Sequence, residues 1–144
     1  MVLLEEKDKV SHYDWRGDNQ ILCTCYRENK EQYYALYRVD DGNKLILDET
    51  IMKNDGHPSF LSTNNQFITD TYPLEHCLQY LYSFDMRNNK RKDILKIYSS
   101  PLMTGEKRCD LHPRISCNEE IISIDSTFSG NRRKIVCLFK EQEK

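Results

Sequence analysis

A histidine recurs at the head of three similar segments of this chain, and the spacing between the three constrains the fold more than any other feature. His12 opens H-Y-D-W-R-G-D-N-Q-I-L-C-T-C-Y, His57 opens H-P-S-F-L-S-T-N-N-Q-F-I-T-D-T-Y, and His112 opens H-P-R-I-S-C-N-E-E-I-I-S-I-D-S-T. Asp70 follows His57 by 13 residues and Asp125 follows His112 by 13, while Cys25 takes that place after His12. The period is 45 residues from His12 to His57 and 55 from His57 to His112, the extra length falling in the loop before His112. Repeats of roughly 40–50 residues mark the blades of a β-propeller.

Each repeat resolves into short strands separated by turn chemistry. The first predicts strands at Gln20–Tyr26, Gln32–Val39 and Lys44–Glu49; the second at Gln66–Tyr72, Leu78–Met86 and Asp93–Ser99; the third at Glu120–Thr127 and Lys134–Lys140. Asn, Asp and Gly fill the turns because they tolerate positive φ or bond their own backbone. Ile, Leu, Tyr, Phe and Thr dominate the strands, as a pleated, half-buried surface favours. Helical periodicity is nowhere sustained, so the chain reads as all-β.

The expected architecture is therefore a β-propeller segment of about three four-stranded blades, with repeats near 10–52, 53–107 and 108–144. The last repeat lacks its outer strand, and Met1–Lys9 offers one strand to the preceding or the final blade. Propellers close with about 4–8 blades, so the remaining blades of a ring of about six or seven come from a longer protein or from a second chain. A sandwich or open meander of about eleven strands is the alternative.

Bulk properties exclude several classes. The 144 residues fit one domain, and a formal charge of −2 gives no basic footprint for nucleic acid. The basic run Arg87–Lys92 reads as a solvated hairpin turn. No apolar stretch approaches the roughly 20 residues of a membrane span, and Met1-Val2-Leu3-Leu4 runs at once into charged residues. Six scattered cysteines with no C-x-x-C pair read as reduced thiols of a cytoplasmic protein, an exported location staying open.

In a blade, the residue entering the innermost strand sits near the mouth of the central channel, so histidines at that place in neighbouring blades approach one another. Converging neutral imidazoles are common ligands for Mn, Fe, Ni or Zn. Asp55 lies two residues before His57 and Asp110 two before His112, whereas Val10 holds that place before His12. Residues two apart on an extended segment share a face, so these carboxylates either ligate a metal or orient the imidazoles. His12, His57, His112 and Asp110 are thus the candidate metal ligands. A His-Pro pair also serves as a structural hinge, and that reading stays open. Asp70 and Asp125 read as structural, bonding local backbone N–H groups. Cys109-x-x-His112 is a lone zinc half-site.

Lys107, Arg108 and Arg114 flank His112 and are the candidate ligand-binding residues, because guanidinium groups grip carboxylate or phosphate with paired donors. Trp15 stands where Phe60 and Ile115 stand in the other repeats, which places it in the core. No G-x-S-x-G, H-E-x-x-H or glycine-rich phosphate loop is present, so a serine-hydrolase reading has no support.

The segments D-G-H-P-S-F (Asp55–Phe60), T-D-T-Y-P (Thr69–Pro73), R-C-D-L-H-P-R (Arg108–Arg114) and I-D-S-T (Ile124–Thr127) together resemble the C-terminal blades of bacterial propellers related to oligogalacturonate lyase and the TolB-type repeat. The likeness runs roughly from Ser11 to Phe139. It implies a divalent metal, typically Mn, held by histidines and a glutamine, with basic residues beside it for β-elimination on a uronate. His57 and His112 match metal-binding histidines of that family. Asp110 stands where the family has a further histidine, and Lys107 where it has the glutamine. The S-P-D-G turn of such repeats is replaced by Ser62-Thr63-Asn64-Asn65 and Ser116-Cys117-Asn118-Glu119. The resulting expectation is a ligand-binding propeller for an acidic saccharide, with a divalent metal. A metal-dependent uronate lyase and a protein-interaction scaffold are the alternatives.

Overall fold

A computed structural model describes residues 9–139. Three antiparallel sheets follow one another along the chain. The first holds β1 (Lys9–Arg16), β2 (Gln20–Tyr26), β3 (Gln32–Arg38) and β4 (Lys44–Ile46), in that order. The second holds β5 (Ser59–Phe60), β6 (Gln66–Asp70), β7 (Leu78–Asp85) and β8 (Lys90–Tyr98). The third holds β9 (Arg114–Ile115), β10 (Ile121–Ser126) and β11 (Arg133–Leu138). Two short 3-10 turns, Glu75–Cys77 and Gly105–Lys107, are the helical elements among the described residues. None is long and apolar enough to cross a membrane. Meandering sheets packed face to face are the blades expected from the repeats, and the third has three strands among the described residues. The strand proposed within Met1–Lys9 falls outside the described residues, apart from Lys9, which opens β1.

Alternation along the strands builds the packing. Leu22, Tyr34 and Leu36 face the second sheet and meet Phe67, Tyr82 and Phe84. Phe67 is the hub, with ring centroids 6.1 Å from Tyr34, 5.5 Å from Phe60 and 5.6 Å from Phe84. On the opposite face of the second sheet, Leu61, Ile68 and Leu81 meet Leu111, Ile122 and Ile124 of the third. Cys23, Cys25, Tyr33, Ala35 and Tyr37 form a third cluster on the far side of the first sheet, so β2 and β3 are buried on both faces. Polar ties lock the first two sheets together at their inner edges. Asp14 accepts the Phe60 N–H at 2.8 Å, and Arg16 donates to Asn65 Oδ1 at 3.1 Å.

The strand positions match the sequence reading to within a few residues, with three corrections. Trp15 is 50% exposed rather than in the core. Phe60 and Ile115 occupy the face that packs on the preceding sheet, and the first sheet has no sheet before it among the described residues. The strand expected from Asp93 already begins at Lys90, because Asn89 adopts φ +56° and closes the hairpin there. His12 lies inside β1 at a bulge, whereas His57 and His112 each precede their strand by two residues.

Candidate metal centre

Each histidine is placed by a different local device. Gly56 lets the Asp55–Pro58 segment lie against the end of β6: a Cβ there would run into the Asp70 carbonyl oxygen, with Thr69 and Tyr34 also in the way. His57 is thereby buried, its backbone N–H donating to Asp70 Oδ1 at 2.7 Å and its Nδ1 lying 2.9 and 3.0 Å from the two carboxylate oxygens. His112 sits at φ +43°, a left-handed conformation that costs energy and disfavours a residue before proline. Its N–H donates to the same carboxylate, Asp70 Oδ2, at 3.1 Å, and its Nδ1 lies 3.0 Å from the Asp110 carbonyl. His12 donates its N–H to Thr24 Oγ1 at 3.0 Å, and its Nε2 lies 3.0 Å from the Tyr72 hydroxyl.

Carbonyl and carboxylate oxygens accept and do not donate, so Nδ1 carries the proton on both His57 and His112. In the neutral ring, each then carries its lone pair on Nε2. The three rings form a stack with His57 in contact with both neighbours, at centroid distances of 3.9 Å to His12 and 3.9 Å to His112. Burial, and next the neighbouring His57, hold the His12 pKa below its ordinary value. The neutral form of His12 is thus favoured.

Asp110 completes the set. Arg108 donates to its Oδ2 from Nε at 3.1 Å and from Nη2 at 2.8 Å, while Oδ1 is buried and has no hydrogen-bond partner. An unsatisfied buried acceptor costs about 1–3 kcal/mol, more when charged. One ligand atom each from His57, Asp110 and His112 lies within 4.8 Å of the others. Two neutral imidazoles and a carboxylate with a free oxygen form a donor set for a first-row divalent cation. These residues fit such an ion.

Beside His57 lies a cavity of about 340 Å³ lined by Ser11, His12, Tyr13, His57, Pro58 and Arg114. Tyr13 is 62% exposed and forms an open aromatic wall. Tyr72 stands under the Arg108 guanidinium, 4.5 Å from its ring centroid. Burial, then Asp55, raise the Tyr72 pKa. A larger hollow of about 590 Å³ between Arg27, Glu31 and Lys53 has mixed charge, with Arg27 already paired to Glu49 at 2.6 Å.

The structure brings together His12, His57, His112 and Asp110, and sets Arg114 in the cavity wall. His12 joins the stack and turns its Nε2 to Tyr72 rather than to the Asp110 cluster. Arg108 is spent on Asp110 and Tyr72. Lys107 is exposed on the 3-10 turn. Asp55, the counterpart of Asp110, is saturated: its Oδ2 accepts Ser11 at 2.7 Å and Tyr26 at 2.5 Å, and its Oδ1 accepts Gly56 N–H at 2.9 Å. Cys109 is buried with its thiol directed at the Asp110 carbonyl, so the half-site with His112 does not form. Asp125 does not repeat Asp70 either; it pairs with Lys134 at 2.7 Å and Arg132 at 3.3 Å. Tyr72 and the imidazole contact of Asp70 were missed by sequence reasoning. The period-two spacing of Asp70 and Tyr72 in T-D-T-Y-P is the signal that points to both.

No protein-family model matches the chain, and no curated protein matches it. Solved structures do. An oligogalacturonate lyase in complex with manganese is similar at TM-score 0.71 and 15% identity, over 95% of this chain and 37% of that one. The β-propeller domain of the Trilobed protease from Pyrococcus furiosus, which has an open velcro topology, is similar at TM-score 0.60 and 11% identity, over 91% of this chain and 38% of that one. This chain thus spans little more than a third of the length of either, and its fold is that of an oligogalacturonate-lyase-like β-propeller.

Proposed function

We propose that the histidine pocket holds a divalent metal ion and binds a carboxylate-bearing ligand of the acidic-saccharide class at a propeller channel mouth. The observation that carries this reading is the buried, unpartnered Oδ1 of Asp110, a residue whose carboxylate clusters with His57 and His112. His57, His112 and Asp110 would hold the ion, Mn being favoured by the manganese-bound neighbour of the same fold. When bound, the ion would supply positive charge for a ligand carboxylate. Arg114 adds a guanidinium at the cavity wall, and exposed Tyr13 offers a ring face for sugar C–H groups. The test is calorimetric titration of the protein with Mn²⁺ and then with galacturonate oligomers, before and after chelation. Saccharide binding that disappears with the metal supports the reading; saccharide binding indifferent to chelation refutes its metal half. No binding of either leaves the scaffold alternative.

Neutral His12, hydrogen-bonded to Tyr72 beside the cavity, favours a second reading as a uronate lyase. His12 would take the proton α to the carboxylate, the C–H electron pair would form the ring double bond, and the glycosidic oxygen would leave from the β-carbon. Exposed Trp15 on one outer sheet face, and Val136 and Leu138 on the other, support further blades continuing the ring, from a longer chain or a second copy. Free cysteines throughout the chain support a reducing, cytoplasmic setting.

A further inference from the structure

We infer that Asp70 is a positioning residue: it fixes the tautomer of His57 and the backbone of His112, so that imidazoles from two neighbouring sheets present Nε2 together. The role in metal binding rests on the reading above, whereas the tautomer does not. Asp70 is fully buried (0% exposed). Oδ1 receives the His57 N–H and shares its Nδ1, and Oδ2 shares that Nδ1 and receives the His112 N–H. Among the described residues its one ion-pair partner is His57, with no lysine or arginine beside it. A structural carboxylate at a strand end is satisfied more simply, as Asp125 shows at the same place in the next repeat by pairing with Lys134 and Arg132.

Asp70 therefore stands where two ligand histidines meet, and its contacts do two things. Accepting from Nδ1 forces the proton onto that nitrogen and leaves the lone pair of the neutral ring on Nε2. Accepting from the His112 amide helps hold a φ of +43° that the residue would otherwise leave. A carboxylate behind a ligating imidazole also raises its basicity, and losing such a partner typically costs about 10–100-fold in metal affinity.

The experiment is long-range ¹H–¹⁵N correlation of the imidazoles in metal-free protein, wild type beside Asp70→Asn, with Mn²⁺ affinity measured on both. In the wild type, His57 and His112 are expected as Nδ1–H tautomers. In Asp70→Asn the side-chain amide can donate to Nδ1, so His57 should shift toward Nε2–H while His112, tied to the Asp110 carbonyl, keeps its form. Mn²⁺ affinity should fall about 10–100-fold. His57 unchanged in the variant, or found as Nε2–H in the wild type, overturns the inference. If the variant does not fold, the wild-type spectrum decides by that second criterion. Should wild type bind no Mn²⁺, the metal reading fails, and the His57 tautomer still settles the placement by Asp70.

Discussion

His12 packs on His57 with ring centroids 3.9 Å apart and an interplanar angle of 43°, a contact that two protonated imidazoles would not sustain. Burial, then His57, lower the His12 pKa from its ordinary 6.5. The unfolded chain therefore binds this proton more readily than the folded one. Well above pH 6.5 neither state is protonated at His12 and the group adds no pH dependence. As pH falls below 6.5 toward the lowered folded value, stability is lost. Melting temperature followed from pH 7.5 to pH 5 should drop, and His12→Gln should flatten that slope; equal slopes would show that the stack does not govern acid sensitivity.

Asp110→Asn keeps an acceptor for Arg108 and removes the carboxylate charge from the cluster with His57 and His112. Without metal the variant should be within about 1 kcal/mol of wild type, since Oδ1 has no partner to lose and the amide oxygen can still accept from Arg108. With Mn²⁺ present, the stabilisation that binding confers on wild type should largely vanish. An Asp110→Asn protein stabilised by Mn²⁺ as fully as wild type would remove Asp110 from the ligand set.

Gly56→Ala pushes a methyl group into the Asp70 carbonyl, Thr69 and the Tyr34 hydroxyl. Backbone must move, so a loss of about 1–3 kcal/mol is expected, the range for overpacking a tight site. Denaturant unfolding measures it. The same shift should drag His57 from Asp70 and weaken Mn²⁺ binding, although Gly56 bears no ligand atom.

Trp15 and Phe67 should respond in opposite ways to truncation. Trp15 is half-exposed at the outer face of β1, so Trp15→Ala should change stability by less than about 0.5 kcal/mol. Phe67 is buried among Tyr34, Phe60 and Phe84, so Phe67→Ala should cost about 3–5 kcal/mol. Unfolding curves of the two variants rank them; a large loss from Trp15→Ala alone would show that its face is covered in solution.

The all-β architecture was legible because turn residues and alternation are local signals: Gln20–Tyr26 is found as a strand at the bounds read from sequence. The convergence of the histidines was legible from the repeat, since equivalent places in adjacent blades must lie near one another. The division of labour between carboxylates was not. Asp55 and Asp110 hold equivalent positions, yet Ser11 and Tyr26 saturate one while the other keeps a bare oxygen, and those partners come from residues 29 and 44 positions away. Trp15 shows the same limit from another side. Its alignment with Phe60 correctly gives the sheet face, but exposure depends on whether another sheet covers that face.

The central claim is tested most directly by measuring Mn²⁺ bound to purified protein, wild type beside His57→Ala/His112→Ala, by elemental analysis and calorimetry. About one ion per chain in the wild type, lost in the double variant while strand content persists, is the predicted result. Wild type without a bound divalent metal, or a double variant that binds it equally well, would contradict the assignment of these histidines as a metal centre.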